Sequence, residues 1–333
     1  MGTGRRASRA NPSVRVWTRH PPKSCAPMPR LTQREYVPPR DGVVLTTGDS
    51  RLFDLAGRLW SEGDPGPSAL EFRLDVIPGG APSAEVEREV AWQHAEKAYR
   101  VTIPGHLDVV IDFAASRVAG TVGSGLLEAE PALAARYILE APAAVLLSRR
   151  GWQVLHAAAV TGPRGAAVVR GGAGAGKSTL VGAAFAAGLG VLADESLLVA
   201  REDVRDLSAA VRDLALLPDA AALLGLGPRT RFAFTGGEPK RRLDLFEESR
   251  PALRRASLAA PILLGDRCAT PAALVPLSEG EFLAAFQEGE IPQEREAANP
   301  AVVARSWSRT GGFRLDGARD LPGAVALVAS LVG

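Results

Sequence analysis

Residues 170–180, RGGAGAGKSTL, restrict the architecture of this chain more than any other stretch. Gly171, Gly176, Lys177 and Ser178 satisfy G-x-x-x-x-G-K-[ST], in which glycines let successive backbone N–H groups turn inward around an anion. Random placement of this composition gives roughly 0.004 matches, so the pattern is not an accident of a glycine-rich chain. Such a loop needs a strand to enter it and a helix to leave it. AAVV at 166–169 supplies the strand, and TLVGAAFAAG at 179–188 a small-residue helix stopped by Gly188. The cradle would comprise Gly171, Gly172, Ala173, Gly174, Ala175, Gly176, Lys177, Ser178 and Thr179, with the helix N-terminus adding its positive dipole end. Lys177 would place a point charge on β- and γ-phosphates, and Ser178 an oxygen on Mg²⁺.

The 333 residues suit two domains, and 46 % hydrophobic residues suffice for ordinary cores. No apolar run reaches membrane-spanning length, so no membrane partner is expected. Cys25 and Cys268 have no partner at metal-ligand or redox spacing, which fits a reducing, cytoplasmic setting. The net charge of +2 is unevenly placed: the first 40 residues carry nine Lys/Arg and the single acid Glu35, which leaves −6 on the remainder. That leader lacks periodicity and a long apolar stretch, and Met28 offers an internal start. Residues 1–40 are therefore expected to be a disordered leader, and nucleic acid is not expected as a partner.

Residues 41–150 are expected to form a β-rich domain. GVVLTTGD and ALEFRLDVIP have strand character, and AYRVTIPGHLDVVIDFAASRVAGTV alternates apolar and polar residues around the turn at Pro104-Gly105. A helix over 131–149 leads to a junction at Gly151. From 151 to 333 a hairpin, WQVLHAAAV-TGPRG-AAVVRG, feeds the glycine-rich loop. GVLADESLLVA at 190–200 is an apolar strand interrupted by Asp194 and Glu195, and short helices and strands alternate from there to a terminal helix, DLPGAVALVASLVG.

The order of hairpin histidine, glycine-rich loop and acidic pair within residues 152–200 resembles the catalytic domain of the HPr serine kinase/phosphorylase-like family. Weaker features, LLPD, KRRLDL and ALVPLSEGEFLAAF, extend the likeness to about residue 288. It is closer to the divergent HPr-kinase-like proteins linked to modified-peptide biosynthesis. The amino-terminal domain and the carboxy-terminal helical signature of the enzyme acting on HPr are not recognisable here. The resemblance implies an α/β fold, namely a P-loop kinase domain of HPr kinase-like type behind a β-rich amino-terminal domain. It also implies ATP and Mg²⁺ as cofactors, transfer of a phosphoryl group to a serine-type hydroxyl, and in many members a homo-oligomer.

Through the same resemblance, Asp194 and Glu195 are jointly candidates for metal and base roles, and His156 for a place near the transferred phosphate. Adjacent strand residues point to opposite faces, so both acids reach one site only at a strand end or in a distorted turn. Glu195 stands where the family usually has a second aspartate, which gives VLADE the look of a Walker B run with a water-activating glutamate. Lys240, Arg241 and Arg242 form a cationic run suited to clamping phosphates, with Arg241 taken as its catalytic member. Asp266 competes with Asp194 as a Walker B acid, but GDR has the form of a simple turn. His20, His94 and His106 show no metal spacing. The expected function is a kinase acting on a peptide, protein or small-molecule hydroxyl, with the β-rich domain of residues 41–150 helping to recruit that acceptor. The alternatives are a slowly hydrolysing nucleotide switch and a nucleic-acid-dependent ATPase resting on the basic leader alone.

Overall fold

A computed structural model of the chain describes residues 31–37, 42–64, 66, 69–209, 213–235, 238–245, 255–268, 271–288 and 300–333. Most of the expected leader, with His20, Cys25 and Met28, lies outside them. Residues 31–333 make one compact mixed α/β unit.

The first half builds an eight-stranded sheet from β1 (Thr32–Val37), β2 (Val43–Thr47), β3 (Ser61–Glu62), β4 (Leu70–Ile77), β5 (Ala91–Ala95), β6 (Ala98–Ile103), β7 (Leu107–Asp112) and β8 (Arg117–Gly123). Their order is β3-β1-β2-β4-β8-β7-β6-β5. Strand β1 corrects the leader boundary: it falls inside residues 1–40 yet pairs with β2, Gln33 opposite Thr46. Residues 31–35 are all exposed, so the segment has no apolar alternation by which the sequence could announce a strand. Between the parallel strands β2 and β4 runs the helix Ser50–Leu59, capped by the Asp49 side chain on the Arg51 N–H and burying Leu52, Phe53, Leu55, Ala56 and Leu59.

Helical structure fills 131–149 as expected, but with a π-helical turn, Arg136–Glu140, between Pro131–Ala135 and Ala141–Arg149. Trp152, Leu198 and Ala200 belong to the same apolar core as these helices and the first sheet, so packing is continuous across the expected junction at 151.

The second half contributes β9 (Gln153–Leu155), β10 (Ala158–Gly162), β11 (Gly165–Arg170), β12 (Gly190–Ala193), β13 (Leu197–Val199), β14 (Asp206–Ala209), β15 (Asp213–Leu216), β16 (Arg231–Thr235), β17 (Glu238–Asp244), β18 (Arg255–Leu264), β19 (Ala273–Leu277) and β20 (Gly312–Asp316). The expected hairpin forms from β10 and β11, Ala158 opposite Val169. Strand β18 runs parallel to β11 on its other side, and β12 flanks β10. β15, β17 and β16 make a small separate sheet in that order.

Strand alternation explains the layering. Ala167 and Val169 of β11 enter a core with Leu180 and Phe185 of the helix Lys177–Ala186 and with Val328 and Val332 of the helix Leu321–Val332. Ala166 and Val168 enter the opposite core, with Phe282 and Phe286 of the helix Glu279–Glu288 and Val303 and Trp307 of the helix Pro300–Arg309. Burial of a side chain such as Leu180 contributes about 1.5–3 kcal/mol, which anchors a helix whose other residues are mostly small. Gly188, at φ +101°, ends that helix in a left-handed turn, as the sequence suggests. Among the described residues, no helix is long and apolar enough to cross a membrane.

Candidate functional site

The glycine-rich loop joins the end of β11 to the helix Lys177–Ala186. Its last residue before the helix, Gly176, sits at φ +101°, a left-handed conformation that releases the chain into the first helical turn without a Cβ clash. Gly172, Ala173 and Gly174 form an exposed rim, and a Cβ on Gly172 or Gly174 would meet nothing within 4 Å. The Lys177 side chain folds back beneath the rim, donating from Nζ to the carbonyls of Gly171 at 2.8 Å and Gly172 at 3.2 Å. A buried ammonium thus lies under an open ring of backbone at a helix N-terminus, an arrangement suited to an anion.

Arg267, the last residue of the turn-like GDR run, closes one side of this rim. Its Nη1 donates to the Gly174 carbonyl at 2.8 Å because β18 lies beside β11 and delivers the following turn to the loop. Asp266 has the structural role its sequence suggests: its carboxylate accepts from the Cys268 N–H at 2.9 Å.

The acidic pair lies in the bend between β12 and β13, the strand-end position needed for both acids to turn towards one region. The two carboxylates then part. Asp194 is buried, accepts from the Ala215 N–H at 2.9 Å through Oδ2, and has no hydrogen-bond partner on Oδ1. Burial, reinforced by the negative charge of Glu195, pushes its pKa up to about 7, against the opposing pull of the Ala215 N–H and the Ser178 hydroxyl. Ser178 and Asp194 therefore face each other beside the loop. An orphaned buried carboxylate oxygen next to a hydroxyl fits a divalent cation. No trio of His, Cys, Asp and Glu side chains placed to hold a metal occurs among the described residues, so a cation here would complete its shell with phosphate oxygens and water.

Glu195 faces a different set of groups. Its Oε1 is 3.1 Å from Lys240 Nζ and its Oε2 is 3.4 Å from Arg136 Nη2. Arg136 Nη1 also lies 3.2 Å from Asp213 and 3.9 Å from Glu87. Arg242 meets the same two acids, Nη2 to Glu87 at 2.7 Å and Nε to Asp213 at 2.6 Å. Three cations and three carboxylates thus balance in a largely buried network. Burial works against charge on both arginines, and the surrounding acids, Asp213 foremost, outweigh it and hold them protonated. Of the two acids assigned jointly to metal and base roles, Asp194 lies beside Ser178 and Glu195 joins the ion-pair network.

Glu87 and Arg136 belong to the first half and were missed from the sequence. Neither carries a motif. The π-helical turn brings Arg136 in, and the short 3₁₀ helix Val86–Glu89 brings Glu87. Their only sequence signal would have been charges that have to be paired when buried.

Arg241 is a correction. Alternation along β17 puts Lys240 and Arg242 on the face towards Glu195 and Asp213, and Arg241 on the other. Its guanidinium is occupied by the turn before β16, bonding Thr230 Oγ1 at 2.9 Å, the Thr230 carbonyl at 2.8 Å and the Gly227 carbonyl at 3.0 Å. Arg241→Ala should therefore cost about 1 kcal/mol of stability and leave turnover within a few-fold. Arg242→Ala, which leaves Glu87 and Asp213 short of a cation, should cost about 3 kcal/mol or more. Urea unfolding of the two variants checks this, and equal losses would contradict the assignment.

His156, in the link between β9 and β10, places Nδ1 3.2 Å from the Glu195 carbonyl. A carbonyl only accepts, so Nδ1 carries the proton. The histidine thereby fastens the hairpin to the acidic bend, joining two of the expected site elements. His94 packs on Tyr99 in the first sheet, and His106 lies in the β6–β7 turn.

No protein-family model matches the chain, and no curated protein matches its sequence.

Proposed function

We propose that this chain is an ATP- and Mg²⁺-dependent kinase of HPr kinase-like type, moving the γ-phosphoryl group to a serine-type hydroxyl of a peptide, protein or small-molecule acceptor. One observation carries the reading: Lys177, Ser178 and the buried Asp194, with its unpartnered Oδ1, converge at the exposed glycine-rich rim. Phosphoryl transfer asks mainly for positioning and charge neutralisation, which this set supplies. Mg²⁺ would be held by Ser178 and Asp194 together with the nucleotide, and would supply neutralisation of the phosphate charge. The acceptor oxygen bonds the γ-phosphorus as the bond from that phosphorus to the β–γ bridging oxygen breaks, and its proton passes to the Asp194 carboxylate. Lys177 offsets the charge gained by the departing ADP. Arg267 is placed to exchange the Gly174 carbonyl for a phosphate oxygen.

The hydrolysing-switch alternative drew on Glu195 as a water-activating residue. Ion pairs to Lys240 and Arg136 engage both of its oxygens, which favours transfer. Calorimetric titration tests the nucleotide site: ATP should bind the native protein, more tightly with Mg²⁺ than without. An absence of binding under both conditions would remove the proposal.

A further inference from the structure

The first sheet has two edges among the described residues, and they differ. One is β3, two residues long, with Glu62 paired to Arg34 at 3.2 Å. Short, charged edges of this kind resist pairing with another chain. The other is β5, AWQHA, which carries no lysine, arginine, acid or proline. It pairs with β6 in unbroken register from Ala91 opposite Thr102 to Ala95 opposite Ala98. All five of its residues are exposed, and Trp92 leaves 44 % of its surface open. Among the described residues no further strand pairs with the outer side of this uncharged, five-residue edge, so its backbone N–H and C=O groups suit the addition of another strand.

This edge leads to the candidate site along two routes. The Trp92 ring lies 6.4 Å from the Tyr137 ring, the Arg136 guanidinium 5.9 Å from Tyr137, and Arg136 3.4 Å from Glu195. The beginning of β5 follows the 3₁₀ helix that carries Glu87, which pairs with Arg242 in the same network. The edge therefore lies beside the network that holds Glu195.

We infer that the open edge of β5 docks the acceptor as an extended peptide, with an apolar side chain on Trp92 and the reacting hydroxyl carried towards the acidic pair. This rests on the kinase reading for its chemistry, while the docking itself is measurable without turnover. Edge pairing supplies affinity through the backbone, and the Trp92–Tyr137 surface supplies side-chain selectivity. Free serine, which has no strand to add, is a poor acceptor.

The test uses the full chain and a pool of synthetic peptides of about 12 residues, each with one serine and one phenylalanine at varied spacing. Hydrogen exchange on the Lys177→Ala variant should show slowed exchange of the amides of β5 when the pool is added. Trp92→Ala should weaken this about tenfold, and Trp92→Phe should largely restore it. In otherwise native protein with γ-labelled ATP, Trp92→Ala should raise KM for the peptides about tenfold with kcat nearly unchanged, and label should favour one phenylalanine–serine spacing over the others. Three results would overturn the inference: no β5 protection by the pool, labelling of free serine as efficient as that of the peptides, or β5 protection that grows with protein concentration alone, the sign of a second copy on the edge. Peptide-dependent β5 protection without label in any pool would instead support the docking and sink the kinase reading.

Discussion

Replacing Lys177 by alanine is expected to lower Mg²⁺-ATP turnover about 10³-fold or more. The ammonium is buried beneath the loop rim and is fixed by the Gly171 and Gly172 carbonyls, so it stands where phosphate charge would gather, at no cost in reorganisation. Its removal leaves two carbonyls beside an open rim that water reaches, so the fold should lose only about 1 kcal/mol. Steady-state turnover with a parallel thermal melt separates the two effects. Turnover within tenfold of native, in a folded variant, would contradict the placement of the nucleotide.

Asp194→Asn has the second large expected effect, and it works in opposite directions on activity and stability. Turnover should fall about 10³-fold, because the amide can neither take a proton nor carry the charge that attracts a cation. Stability should rise at neutral pH. The folded pKa of Asp194 is raised to about 7, above the usual aspartate value of 3.8, so the unfolded chain gives up this proton more readily. The protonated carboxyl thus favours the fold at low pH, and that contribution is lost progressively as pH rises from about 4 to 7. Asparagine, uncharged throughout and able to accept from the Ala215 N–H, does not lose it. The variant should be more stable than native protein at pH 8 by on the order of 4 kcal/mol, with the gap closing towards pH 4. Urea unfolding at several pH values measures this, and parallel curves for the two proteins would contradict the burial-driven shift.

The parts of this protein that were legible in its sequence are those set by local chemistry. The strand–loop–helix unit around Lys177 forms because glycines, a lysine and a small-residue helix admit few other arrangements, and the β10–β11 hairpin follows from two apolar runs on either side of the short TGPRG turn. The bend at Asp194 and Glu195 was foreseeable because two adjacent acids cannot share a face of a regular strand. What escaped the sequence depends on partners far along the chain. Arg241 and Arg242 are neighbours of the same type, and only the register of β17 against β15 and β16 decides which one meets Glu87. Arg136 looks like a solvated residue on an amphipathic helix until the π-helical turn aims it at Glu195. Arg267 enters through the neighbouring strand β18, 93 residues beyond the carbonyl it binds.

The most direct test of the central claim is transfer of label from γ-labelled ATP with Mg²⁺ into fractionated peptide and small-molecule pools, comparing native protein with Lys177→Ala and Asp194→Asn. Label should enter an acceptor fraction with the native protein and be lost with both variants. Label released by the native protein only as free phosphate, in every pool, would contradict the kinase assignment and leave a nucleotide-hydrolysing switch in its place.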